Sequence, residues 1–318
     1  MMTMKAIRIH EYGGAQVLRY EDAPRPQPGA GEMLVRVFAA GVNPVDWKVR
    51  AGFMKEMVPL PLPWIPGNDF SGVVESTGSD VTEFHAGDEV FGKSDMPRNG
   101  SYAEYVVVPN SAVAAKPRTL DHIHAAAVPL AALTAWQALF GNGQAPALDP
   151  RAGQTVLILG AAGGVGSFAV QFAKWKGARV IATSRPGQEA HLRALGADTI
   201  IDVERQRIED ADQVDAVLDL VGGDLQQRAW SRLKRGGALA STMGPPSEAE
   251  AKARGVRTVS VFTQTNAAQL AEIAKLIDAG KVKVVVSQTL PLASAQRVHE
   301  LLEGGGVLGK VVLTVAES

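Results

Sequence analysis

The sequence predicts an α/β protein in which a doubly wound parallel sheet is inserted into a mostly antiparallel, β-rich unit. Three observations carry that expectation. Residues 155–174 read as strand, glycine turn and helix; strands and helices alternate from there to about residue 262; and period-two apolar alternation dominates the first 125 residues.

The stretch at 155–174 organises the rest. Residues 155–159 are an uninterrupted apolar run of the kind buried on both faces of a parallel sheet. Ala161, Gly163, Gly164, Val165 and Gly166 then form a turn with too little side chain to be core. It is a variant of G-x-G-x-x-G in which alanine replaces the first glycine. From Ser167 the apolar spacing becomes helical, with Gly177 as the stop. The unpaired N–H groups of such a helix start, at the positive end of its dipole, suit a pyrophosphate.

Before this stretch, alternation at 4–10 and 33–38, punctuated by Gly13-Gly14 and a Pro/Gly run at 24–31, gives strands joined by turns. Segments 70–76 and 102–108 continue the pattern. After it come strand 178–184, helix 188–195, strands 199–201 and 214–220, helix 224–234, and strands 237–242 and 256–262. Residues 247–254 read as an exposed polar loop. A helix at 266–279, strands at 282–286 and 308–315 and a helix near 293–303 return the chain to its first unit. The expected division is 1–125 with 265–318, and 126–264.

Composition narrows the chemistry. The chain has 318 residues, 46% of them hydrophobic, and a net charge of −1, with no basic face for nucleic acid. Its longest apolar stretch, 125–136, is short for a bilayer and contains Pro129, and the N-terminus lacks a signal-peptide core, so a cytoplasmic protein is expected. With no cysteine there is no thiolate nucleophile or cysteine-bound zinc. His122 and His124, at i and i+2, would face different sides of a helix, so no metal site is expected.

The second strand of the parallel sheet indicates which nucleotide is bound. Sites for NAD place Asp or Glu at its end, whereas here it ends in Thr183, Ser184 and Arg185. Hydroxyls and a guanidinium can donate to a 2′-phosphate that a carboxylate would repel, so the expected cofactor is NADPH.

With these residues in hand, the sequence resembles the zinc-free quinone oxidoreductase and enone reductase branch of the medium-chain dehydrogenase/reductase superfamily. The matching segments run in family order: Gly41-Val-Asn-Pro-Val-Asp-Trp-Lys48, Ile65-Pro-Gly-Asn-Asp-Phe-Ser-Gly-Val-Val74, Phe84-His-Ala-Gly-Asp-Glu-Val-Phe-Gly92, Ala131-Ala-Leu-Thr-Ala-Trp136, the glycine turn, Leu195-Gly-Ala-Asp198, Asp219-Leu-Val-Gly-Gly223 and Gly309-Lys-Val311. The resemblance implies a Rossmann-type NADPH domain inserted in a GroES-like substrate domain. It places Asn43, Asp46 and Lys48 in the substrate cleft, and Thr134, Val221, Gly222, Phe262 and Lys310 on the cofactor side. Zinc-dependent relatives carry a cysteine at the position of Asn43 and a His-Glu pair at Asn68-Asp69, so no catalytic metal is implied. Trp47, Phe53, Trp64 and Phe262 are candidates for an aromatic cleft wall, with ordinary packing as the alternative.

The implied reaction is hydride transfer from NADPH to a quinone, with enone or alkenal double-bond reduction, or a non-catalytic NADPH-binding redox sensor, as alternatives. No general acid stands out. A short-chain dehydrogenase is excluded, because none of Tyr12, Tyr20, Tyr102 and Tyr105 is followed by lysine four residues on. The segment 256–262 is expected at a sheet edge, pairing with a second copy in a homodimer.

Overall fold

The computed structural model describes residues 2–143 and 146–316. Two compact units emerge: 1–130 with 265–279 and 284–318, and 131–264 with 280–283. The chain therefore leaves the first unit at Leu130, a few residues beyond the expected boundary, and residues 280–283 belong with the second.

In the first unit, β1 (Thr3–Arg8) and β2 (Arg19–Pro24) form an antiparallel ribbon. The main sheet is built on β3 (Glu32–Val42), followed by helix α1 (Pro44–Arg50), β4 (Asp69–Thr77), β5 (Glu89–Lys93), β6 (Tyr105–Pro109) and β7 (Val113–Ala115). Helix α2 (His122–Ala126) follows, and α3 (Pro129–Phe140) starts in this unit and belongs from Ala131 on to the second. Met33, Val35 and Val37, on one face of β3, pack with Phe70, Val74, Val90 and Val106. A second cluster gathers Ile7, Ile9, Trp64, Tyr102, Val298 and Leu313. Trp64 is thus core, its indole donating to Arg98 O at 2.8 Å, which corrects its candidacy as a cleft residue.

The second unit begins with β8 (Thr155–Leu159), α4 (Gly164–Trp175), β9 (Arg179–Ser184), α5 (Glu189–Ala194), β10 (Thr199–Asp202) and β11 (Val214–Asp219). It continues through α6 (Gly223–Ala229), β12 (Leu233–Ser241), α7 (Glu248–Arg254) and β13 (Arg257–Ser260). The strands form one parallel sheet in the order β10-β9-β8-β11-β12-β13. The order reverses beside β8, and in such sheets ligands bind at the carboxyl ends of the strands there.

The chain then returns to the first unit with α8 (Ala267–Asp278), β14 (Val286–Pro291), α9 (Ala295–Gly304) and β15 (Lys310–Thr314). β15 pairs antiparallel with β3 and brings Gly41 and Val42 opposite Val312 and Val311.

Two expectations needed correction. Residues 247–254 are helical, because Ser247 Oγ accepts from Glu250 N at 3.3 Å, acidic residues occupy the first turn, and Gly255 closes the helix in the left-handed region at φ +63°. The expected strand at 282–286 begins only at Val286, where pairing with Lys310 starts. Among the described residues, no helix is long and apolar enough to cross a membrane.

Candidate active site

The first constellation is built on the junction of β3 and α1. Asn43 caps α1, and its backbone N–H donates to Asp46 Oδ2 at 2.8 Å. Its side chain is fixed by partners of known polarity: Nδ2 donates to Asp69 Oδ2 at 2.9 Å, and Oδ1 accepts from Lys310 Nζ. Lys310 also donates to Val42 O at 3.0 Å and to Asp69 Oδ2 at 3.2 Å. Asp69 Oδ1 in turn accepts from Leu130 N at 2.8 Å. Asn43, Asp69 and Lys310 are all buried.

This arrangement is where the structure places Lys310, which the resemblance puts on the cofactor side. All three N–H donors of its ammonium are committed inside the first unit, leaving none for a cofactor phosphate. It also tests for a metal: the positions aligned with zinc ligands, Asn43, Asn68 and Asp69, present two amides and a carboxylate already bound to an ammonium. Asn68 Nδ2 donates to Ser94 O at 2.9 Å. Among the described residues no three His, Cys, Asp or Glu side chains gather as a metal site, so the donor set does not fit zinc.

Asp46 continues inward. Tyr102 Oη donates to Asp46 Oδ2 at 3.0 Å, and His299 Nε2 lies 3.4 Å from the same hydroxyl. Burial pushes the Asp46 carboxyl up to about 7, partly offset by the Asn43 N–H. Burial, with Arg50 nearby, pushes His299 down to about 3. Tyr102 and His299 were not among the residues singled out from sequence, and the only signal was their type. Lys48 is half-buried, its ammonium 5.9 Å from the Trp47 ring centre, with no ion pair among the described residues. Trp47 meets Phe53 edge-on at 5.9 Å between ring centres, and Phe53 is largely exposed.

The second constellation surrounds the glycine turn. Gly160, at φ +77°, takes the left-handed position, which explains how alanine is tolerated at 161. A Cβ on Gly166 would overlap the carbonyl oxygens of Gly160 and Ala161, so glycine lets α4 start directly against the turn. No side chain caps α4 at Gly163, and Gly164, Val165 and Gly166 form its first turn. Thr183 Oγ1 accepts from Gly160 N at 3.0 Å and so braces the turn. Ser184 Oγ is buried without a partner among the described residues, and Arg185 beside it is exposed. The uncapped helix start, the left-handed glycine and the orphaned Ser184 hydroxyl fit a dinucleotide.

On β11 of the same sheet, Asp219 Oδ1 accepts from Val221 N at 3.1 Å and Gly222 N at 2.8 Å, while Oδ2 accepts from Gln226 and Ser241. Four donors on one buried carboxylate fix the Val221-Gly222 turn. Sequence reading named the turn and missed the aspartate that holds it. Thr134 is buried and its hydroxyl lies 2.6 Å from that of Thr263, while Phe262 and Val221 are exposed.

Residues 29–118 match the alcohol dehydrogenase GroES-like domain family, and residues 195–313 match the zinc-binding dehydrogenase family. The chain is 37% identical to the 2-methylene-furan-3-one reductase of Solanum lycopersicum over 98% of its own length and 79% of that protein's. It is 35% identical to the chloroplastic NADPH-dependent alkenal/one oxidoreductase of Arabidopsis thaliana, with the same coverage. Among solved structures, the quinone oxidoreductase of Coxiella burnetii superposes with a TM-score of 0.90 at 37% identity, covering 99% of this chain and 100% of that one.

Proposed function

Given that this chain belongs to the zinc-free quinone oxidoreductase and enone reductase branch of the medium-chain dehydrogenase/reductase superfamily, we propose that it is an NADPH-dependent reductase of quinones. Reduction of α,β-unsaturated carbonyls is the second reading, favoured by Lys48, whose ammonium lies over the Trp47 ring and has no ion pair among the described residues. The observation that carries the proposal is the donor set at Asn43, where two amides and a carboxylate, Asn43, Asn68 and Asp69, stand at the positions the resemblance matches to zinc ligands, with the ammonium of Lys310 bound to two of them.

When bound, NADPH supplies the hydride. The first turn of α4 would hold its pyrophosphate, and Arg185 with Ser184 would receive the 2′-phosphate. Thr134, the braced Val221-Gly222 turn and Phe262 would position the nicotinamide end. As an acceptor is reduced, negative charge develops on its carbonyl oxygen, and donors aimed at that oxygen lower the barrier. The Asn43 amide has one N–H bound to Asp69 and a second without an acceptor among the described residues. Lys48 offers a charge-assisted donor. A hydroquinone anion or enolate is stable enough to take its proton from solvent, so no dedicated acid is required.

The chain is further proposed to form a homodimer through β13. Steady-state kinetics test the cofactor assignment: KM for NADPH should lie well below that for NADH, and Arg185→Ala should raise KM for NADPH about tenfold or more, the loss of one charge-assisted contact. A preference for NADH would remove the assignment. Product analysis with phenanthrenequinone, benzoquinone and an alkenone separates the two acceptor classes. Lys48→Ala should lower kcat/KM on the alkenone alone if double-bond reduction is the activity.

A further inference from the structure

We infer that Lys310 is a positioning residue that polarises the Asn43 carboxamide, making its second N–H a stronger donor to the substrate oxygen. The inference deepens the proposed function and rests on reading Asn43 as the donor.

The geometry leaves Lys310 no direct role at a ligand. Its ammonium is buried and bonded to three oxygens, those of Val42, Asn43 and Asp69. Asp69 lies 3.2 Å away and balances its charge, so the pair projects little net field on its surroundings. What remains is transmission through the amide. A cation on the carbonyl oxygen withdraws electron density from the nitrogen, and hydrogen bonds in series strengthen one another. Both ends of the Asn43 side chain are fixed, Oδ1 on the ammonium and Nδ2 on Asp69, and Asp69 is itself anchored by Leu130 N at 2.8 Å. The amide plane is therefore set before any substrate arrives, which is the preorganisation that oxyanion stabilisation requires. An asparagine held only by its helix cap would lack both the orientation and the polarisation.

Two variants test this. Lys310→Met removes the cation, and the double variant Lys310→Met/Asp69→Asn removes both charges, so no unpaired buried carboxylate threatens the fold. In the double variant, kcat with the quinone should fall about 10- to 100-fold, while Kd and KM for NADPH stay within about twofold. A second readout needs neither turnover nor cofactor. The Asn43 side-chain amide pair in a 1H–15N spectrum, assigned by its loss in Asn43→Ala, should move upfield in both variants. A tenfold or greater rise in Kd for NADPH with kcat unchanged would make Lys310 a cofactor contact and overturn the inference. Unchanged kcat together with an unmoved amide resonance would reduce it to scaffold. If the wild-type protein turns over no quinone or enone, the proposed function fails, and the amide resonance still decides the polarisation.

Discussion

Asp46 and His299 lie on one hydrogen-bonded line through Tyr102, and burial moves their proton affinities in opposite directions. Asp46 titrates at about 7 in the native protein against an ordinary value of 3.8, so between those values the folded state holds a proton that the unfolded chain has lost. Its contribution to stability is therefore lost as pH rises through that window. His299, native value about 3 against 6.5, does the reverse: the unfolded imidazole takes up a proton that the native one refuses, so stability is lost as pH falls. Each effect is of order 4 kcal/mol across its full window, and they oppose each other between about pH 4 and 6.5. Asp46→Asn should expose the histidine slope and lose stability on acidification, whereas His299→Gln should expose the aspartate slope and gain it. Urea unfolding at about pH 4.5 and 6.5 checks both, and identical pH dependence in the wild type and the two variants would refute the coupling. At this scale Asn43 and Asp46 were named from the sequence through the resemblance of residues 41–48, and the helix start they form was not read there. The partners of Lys310 were not, since Val42, Asn43 and Asp69 lie 241 to 268 positions away and are brought to it by the β15–β3 and β3–β4 pairings.

At the scale of elements, the glycine turn and α4 act as one device. Gly166→Ala places a methyl group against the carbonyls of Gly160 and Ala161, so α4 must shift from the turn. The expected cost is about 1–3 kcal/mol, with NADPH binding weakened beyond what the lower stability explains. Thermal melts with and without NADPH measure both, and a variant with unchanged Tm and unchanged NADPH-induced shift would show that the close approach is dispensable. The parallel strands were legible because they are continuous apolar runs buried on both faces. Helix α7 was not, since its residues Glu248, Glu250, Lys252 and Arg254 read as loop by hydropathy, and the cap at Ser247 with the Arg254–Glu250 pair at 2.9 Å carried the helical information. The strand expected at 282–286 failed for the opposite reason: its apolar run was evident, but pairing with β15 starts at its last residue.

For the whole molecule, β13 is the last strand of the parallel sheet and, among the described residues, pairs with β12 on one side only. An unpaired ladder of this kind is a template for another strand. Light scattering should give twice the 33.5 kDa mass of one chain, and a single-chain mass would refute the dimer. The reaction proposed here is reduction by NADPH without a metal, with Asn43, Asn68 and Asp69 where zinc ligands would stand and the ammonium of Lys310 bound to Asn43 and Asp69. The most direct measurement is the initial rate of NADPH oxidation by phenanthrenequinone before and after exhaustive dialysis against a strong chelator. The rate should be unchanged by chelation and by added zinc; a rate abolished by the chelator and restored by zinc would contradict the claim.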